Sequence, residues 1–112
     1  MAQYLLLLYN GPSHMQDLSP EEMQKALEKY SAWRQKSFTK DGRRLAADAG
    51  KVLRPQAGKP RVTDGPYSES KEALGGFYLI EADNYEQAVE YALVNPHLEY
   101  GGTIEVRHIF GT

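Results

Sequence analysis

Two short segments of this chain carry apolar side chains at both odd and even positions, and this feature constrains the fold most. They are Tyr4–Tyr9 and Gly76–Ala82. Because successive side chains of a strand point to opposite faces of its sheet, each segment predicts a strand that is covered on both faces. The fold must therefore supply an apolar cover on each side of one sheet.

The segment after the first strand predicts an amphipathic helix. Ser19 is placed as the N-cap, Pro20 as the first helical residue and Glu22 as the capping-box residue. The helix is expected to fade near Lys40 and to end by Gly42. Apolar residues recur at helical spacing and predict one buried face, formed by Met23, Ala26, Leu27, Tyr30 and Trp33.

A second helix is predicted after the second apolar strand. Asp83 is placed as its cap, with Glu86 at the capping-box position, and Asn95-Pro96 is expected to end it. Its predicted buried face comprises Tyr85, Ala88, Val89, Ala92 and Leu93.

Weaker patterns complete the order of elements. Residues 44–54 predict a strand or hairpin arm with a turn at Gly50, residues 61–63 a short strand, and residues 103–110 the last strand. The order β-α-β-β(-β)-α-β is typical of the ferredoxin-like α+β fold with an antiparallel sheet. A chain of 112 residues is expected to form a single domain over residues 1–112.

The second face of the predicted sheet needs its own cover. Two helices can cover only one face of a four-stranded sheet, and an uncovered apolar face would be an exposed patch. We therefore predict a homodimer in which two copies pack sheet to sheet with C2 symmetry. The alternative is that residues 54–74 fold back over the sheet.

Composition narrows the classes of function. Thirteen lysines and arginines against fifteen aspartates and glutamates leave a net charge of −2, so no basic face for nucleic acid and no polybasic membrane patch is expected. The absence of cysteine excludes disulfides, thiolate metal sites and a cysteine nucleophile. No typical histidine metal-site spacing, dinucleotide motif or Walker motif occurs. We predict a cytoplasmic protein without metal or cofactor, whose apolar runs neither span a bilayer nor form a signal peptide.

The most unusual stretch follows residue 62 and is rich in charge and glycine. Asp64 precedes Gly-Pro, so its carboxylate either serves as a general base or ligand acceptor on a rigid turn, or bonds the backbone in an Asx-turn. Glu69, Lys71 and Glu72 either contact a ligand or are solvated and pair with each other. Gly75-Gly76 indicates a bulge or a close backbone approach.

The last strand places two charges on one face. Glu105 and Arg107 are two residues apart, so their side chains are neighbours. Arg107 is suited to holding a carboxylate ligand. The alternative is an ion pair with Glu105, or with Glu81 on a neighbouring strand.

Two histidines bear on the chemistry. His14 lies in the loop after the first strand, where it either reaches a cleft as an acid or base or is simply exposed. His97 follows Pro96 in a predicted turn and is expected to face solvent.

Together, these motifs resemble a known family. They are Asp64-Gly65-Pro66-Tyr67, Glu69, Lys71-Glu72, Gly75-Gly76-Phe77 and Glu105-Val106-Arg107. The chain resembles the DGPF-type branch of the YCII-like family over nearly its whole length, with Tyr67 in place of the usual Phe. The resemblance implies a ferredoxin-like dimer, the dimeric α+β barrel. It also implies activities that are mostly uncharacterised: some members are thought to be enzymes with a His–Asp pair in a cleft, and one dechlorinates a hydroxylated aromatic ring.

The function expected from the sequence is acid/base chemistry, isomerisation or elimination, on a small anionic or phenolic metabolite in a dimer cavity. Asp64 and His14 are the candidate catalytic residues. The candidate ligand-binding residues are Tyr67, Glu69, Lys71, Glu72, Glu105 and Arg107. Two alternatives stay open: a dimer that binds a small ligand or a regulatory partner without transforming it, and a purely structural role for the Asp64–Gly76 loop at the interface.

Overall fold

The structure is a computed structural model, which describes residues 1–11, 17–66 and 73–112. Its elements follow in chain order: β1 (Ala2–Asn10), α1 (Pro20–Arg34), β2 (Thr39–Arg44), β3 (Lys51–Gln56), β4 (Lys59–Asp64), β5 (Ala73–Ala82), α2 (Tyr85–Leu93), α3 (Pro96–Glu99) and β6 (Thr103–His108).

Four strands form one antiparallel sheet in the order β2-β5-β1-β6. The two apolar strands, β1 and β5, lie side by side in its centre. With α1 after β1 and α2 after β5, this is the strand order of the ferredoxin-like α+β fold, and that prediction is confirmed. Strands β3 and β4 form a separate two-stranded hairpin inserted between β2 and β5.

The core lies between the sheet and the helices. Leu6 of β1 and Ile80 of β5 are fully buried there, and Trp33 of α1 packs on Tyr78 with ring centroids 4.7 Å apart. Alternate residues of β1 and β5 point to the opposite side, which we call the open face. Its apolar residues, only partly buried, are Leu5, Leu7, Phe77 and Leu79.

The start of α1 is as predicted, but its end is not. Ser19 accepts a hydrogen bond from the backbone N–H of Glu22, and the Glu22 carboxylate accepts one from the N–H of Ser19. The helix ends at Arg34, because Thr39–Arg44 instead pairs with β5 as an edge strand. The predicted cap of α2 was wrong by one residue: Asn84, not Asp83, accepts from the N–H of Gln87.

Removal of the α1 cap gives a simple test of this assignment. We expect Ser19→Ala to lower the free energy of unfolding by about 1 kcal/mol, because the backbone N–H of Glu22 loses its acceptor. Only the part of this difference that comes from the Ser19 side chain acting on Glu22 should shrink in acid, because Ser19→Ala keeps the backbone N–H that donates to the Glu22 carboxylate. Hydrogen bonds from Ser19 hold the pKa of Glu22 below its usual 4.5, so the stabilisation is present above that value and is lost as pH falls through the lower folded value. The control is Ser31→Ala, on the same helix. In urea titrations its free energy of unfolding should be nearly that of the wild-type protein.

The β3–β4 hairpin buries little of its surface. Its cross-strand partners Leu53 and Val62 are 64% and 60% exposed. The radius of gyration is 16.0 Å, against about 13 Å for a typical 100-residue domain. The hairpin therefore makes the molecule more extended than a typical domain of this size. In the described part of residues 54–74, its apolar side chains are exposed to solvent. Among the described residues, no helix combines the length and apolarity required to traverse a bilayer.

Candidate functional site

A cleft of about 430 Å³ separates α1 from the sheet, and we call it the α1 cleft. Apolar side chains from α1, β1 and β5 form much of its wall, and polar groups complete the lining. Its lining residues are Leu8, Asn10, Met23, Leu27, Tyr30, Arg34, Arg43, Arg44, Gly75, Gly76, Phe77, Tyr78 and His97. An apolar cavity with a few convergent polar groups is typical of a small-molecule site.

Three arginines line the cleft, and they differ in how they are held. Arg34 donates to the carbonyl of Gly42, and Arg43 forms an ion pair with Asp41 at 2.7 Å. Within the described residues, the guanidinium of Arg44 makes no hydrogen bond and no ion pair. As far as the described residues show, Arg44 is therefore an uncommitted cation in the lining of the cleft.

Tyr30 and His97 form a hydrogen-bonded pair in the same cleft. Nδ1 of His97 lies 3.0 Å from the Tyr30 hydroxyl, and Nε2 lies 2.8 Å from the backbone carbonyl of Tyr9. A carbonyl only accepts, so Nε2 carries a proton. In the neutral ring Nδ1 is then the acceptor, and the Tyr30 hydroxyl donates to it.

His97 is only 2% exposed, so the prediction that it faces solvent was wrong. Asn95 caps α3 by accepting from the N–H of His97 at 2.8 Å, and this short helix turns the ring inward between β1 and α1. Lys29 also donates to both carboxylate oxygens of Glu99, at 2.8 and 3.0 Å, which ties α3 to α1.

Both tyrosines of the cleft keep their protons at neutral pH. Burial, followed by the nearby Tyr78 and Tyr100, raises the pKa of Tyr30 well above its usual 10, and Arg44 acts in the opposite direction. Burial likewise raises the pKa of Tyr78, opposed by Arg34. The cleft thus combines phenolic hydroxyls with guanidinium groups, which is a suitable lining for an organic anion.

Gly75 and Gly76 line the α1 cleft and show both features predicted for this pair, a β-bulge and a close backbone approach. Gly75 is the extra residue of a β-bulge, since β1 pairs Leu8 with Gly76 and Tyr9 with Leu74. A Cβ on Gly76 would lie 2.8 Å from the carbonyl oxygen of Arg43. Glycine is required there because the β2 backbone passes too close for a side chain.

Asp64 lies elsewhere, at the end of β4, with 78% of its side chain exposed. Its carboxylate forms an ion pair with Lys51 across the hairpin. It does not line the α1 cleft. The catalytic role predicted for Asp64 remains a prediction.

Glu105 and Arg107 lie together on the open face, as their spacing predicts. Their side chains pair at 3.2 Å, and Glu105 also accepts from the Tyr9 hydroxyl at 3.0 Å. Burial and then the Glu105 carboxylate raise the pKa of Tyr9, so this hydroxyl stays a donor. The ion pair is the alternative that the sequence left open for Arg107, whose ligand-binding role remains a prediction.

The remaining predicted site residues lie outside the described residues. They are His14, Tyr67, Glu69, Lys71 and Glu72. Among residues 1–11, 17–66 and 73–112, no three acidic or histidine side chains are placed to hold a metal ion.

Comparison with known proteins identifies the family. The profile of the YCII-related domain matches residues 2–111. The chain belongs to the YCII-related family. Over 95 residues it is 35% identical to a protein of Rhizobium meliloti (strain 1021) named "Uncharacterized protein R00369", a match that covers 80% of this chain and 76% of that protein. The family resemblance inferred from the sequence is thereby confirmed, and assignment to the DGPF-type branch remains a prediction.

Sequence reasoning missed the three residues that give this YCII-related protein its cleft chemistry. Tyr30 was assigned to the core face of α1, His97 to solvent, and Arg44 to the start of a weak strand. One signal was present: Asn95-Pro96 is a capped helix start, with Asn as N-cap and Pro at the first position. Such a start before His97 indicates a short helix and an ordered histidine.

Proposed function

We propose that this YCII-related protein is a homodimer that binds a small organic anion or phenol in the α1 cleft and performs acid/base chemistry on it. The observation that carries this proposal is Arg44, which has no partner among the described residues, beside the protonated Tyr30 in an apolar cleft. A guanidinium recognises a carboxylate or phenolate oxygen through charge-assisted hydrogen bonds. The apolar wall suits a hydrocarbon or aromatic body.

The homodimer is supported by the open face. Its apolar centre consists of Leu5, Leu7, Phe77 and Leu79, and charged pairs flank it on both edge strands: Asp41 with Arg43 on β2, and Glu105 with Arg107 on β6. Because each edge carries both signs of charge, a twofold sheet-to-sheet arrangement can match them without net repulsion.

The residues predicted from sequence keep a defined place in this proposal. His14 and Asp64 remain candidate acid/base groups from the sequence, although Asp64 does not line the α1 cleft, and the 67–72 segment remains a candidate contributor to ligand binding. A cytoplasmic location remains a prediction from composition.

Replacing Arg44 tests the proposal directly. Benzoate, 4-hydroxybenzoate and 4-nitrophenol are suitable probes, scored by thermal shift and calorimetry. We expect Arg44→Gln to weaken binding by about tenfold or more, since a hydrogen bond to a charged group contributes about 1.5–3 kcal/mol. The matched control is Arg61→Gln, which removes the same charge from the hairpin and should leave affinity unchanged.

Two results would count against the proposal. If none of the probes stabilises the wild-type protein, the cleft is not a site for organic anions. If Arg61→Gln weakens binding as much as Arg44→Gln, the effect is one of overall charge. The non-catalytic alternative predicts binding with no chemical change in any bound metabolite, which mass spectrometry of the recovered ligand would detect.

A further inference from the structure

We propose that Tyr30 and His97 form a proton relay that ionises an acidic hydroxyl, a phenol or an enol, bound next to Arg44. This inference rests on the proposed function, because it needs a ligand in the α1 cleft. It adds the ligand class and the path of the proton.

The hydrogen bonds give the relay its direction. Nε2 of His97 is held as a donor by the Tyr9 carbonyl at 2.8 Å, which leaves the Nδ1 lone pair directed to the Tyr30 hydroxyl at 3.0 Å. The proton of Tyr30 therefore points toward His97. Among the described residues no donor bonds to the Tyr30 oxygen, so its lone pairs can accept a hydrogen bond from a ligand hydroxyl.

The proton transfer balances without another reactant. The ligand O–H bond breaks and its proton bonds to the Tyr30 oxygen, while the original Tyr30 proton moves to Nδ1 of His97. The ligand becomes an anion, Tyr30 stays neutral and His97 becomes a cation. The reverse sequence returns the proton to the ligand.

One charge near the pair favours the ligand anion, namely that of Arg44. The groups that act on Tyr30 are Tyr78 on β5, Tyr100 after α3, His97 and Arg44 on β2. Because burial keeps Tyr30 protonated, Tyr30 can accept a proton only by passing its own to His97. Arg44 then provides the positive charge for the ligand anion.

A purely structural role for His97 predicts a different result. The ring links β1 to α1, so its removal disturbs packing whether or not protons move. His97→Gln separates the two roles. Glutamine can donate to the Tyr9 carbonyl and accept from the Tyr30 hydroxyl, yet it does not take up a proton.

The experiment uses 4-nitrophenol at a pH below its own pKa, where the free probe is mostly neutral. Absorbance reports the phenolate fraction of bound probe, and ¹⁵N NMR of histidine-labelled protein reports protonation at Nδ1 of His97. In the wild-type protein we expect the bound probe to be ionised about tenfold more than the free probe, with Nδ1 protonated. Tyr30→Phe and His97→Gln should bind the probe but lose that excess ionisation.

The outcomes separate the two proposals. If 4-nitrophenol, benzoate and 4-hydroxybenzoate all leave the wild-type protein unstabilised, the proposed function fails. If 4-nitrophenol binds in an Arg44-dependent manner but Nδ1 stays unprotonated, or both variants ionise it as the wild type does, the relay is wrong and the binding site stands. Should His97→Gln fail to fold, Tyr30→Phe with the NMR signal of His97 decides the question alone.

Discussion

Leu7→Glu is expected to convert the proposed homodimer into folded monomers. Leu7 lies at the centre of the open face, with Phe77 and Glu105 as its cross-strand partners. Burying an uncompensated charge in an interface costs about 3–5 kcal/mol, which raises the dissociation constant by about a hundredfold or more. Light scattering coupled to gel filtration should show half the wild-type mass, with the circular dichroism spectrum retained.

The matched control for this experiment lies on the other side of the sheet. Leu93 on α2 is 64% exposed, so Leu93→Glu adds the same charge to an apolar surface position of a helix. We expect Leu93→Glu to keep the dimer mass. A wild-type protein that is monomeric at high concentration would contradict the dimer, as would dissociation by Leu93→Glu with Leu7→Glu still dimeric.

Ile80→Ala is expected to cause the largest loss of stability. Ile80 is fully buried at the centre of β5, between Tyr4 of β1 and Thr39 of β2. Truncating such a side chain costs about 2–5 kcal/mol, because buried contacts are lost and a cavity remains. Urea unfolding at one fixed protein concentration measures the difference.

Leu53→Ala is the control for Ile80→Ala. Leu53 lies on the exposed hairpin, so its truncation should change the free energy of unfolding by no more than about 0.5 kcal/mol. Comparable losses for both variants would mean that the hairpin is buried in solution. A loss below about 1 kcal/mol for Ile80→Ala would contradict its place in the core.

The sheet was predictable because its pattern is local and strong. Strands β1 and β5 are identified by apolar residues at both odd and even positions, and the Ser19 cap indicates where α1 begins. The end of α1 was not predictable in the same way. Residues after Arg34 have no strong strand pattern, and only their pairing with β5 makes them an edge strand.

The helical pattern that predicts α1 also assigns several cleft residues to the buried core, so it did not indicate a ligand site. Met23, Leu27 and Tyr30 have the spacing of a core face, yet they line the α1 cleft, and Leu27 is 47% exposed. Periodicity identifies which side of a helix faces the sheet, but it does not measure the distance between them. The Tyr30–His97 contact joins residues 67 positions apart and depends on the short α3 helix.

Tyr9 forms hydrogen bonds on both sides of the sheet. Its carbonyl accepts from His97 in the α1 cleft, and its hydroxyl donates to Glu105 on the open face. One residue therefore connects the candidate ligand site with the face proposed to meet the second copy. Any coupling free energy carried by Tyr9 must be reciprocal: a ligand that tightens the dimer would be bound more tightly by the dimer, to the same degree.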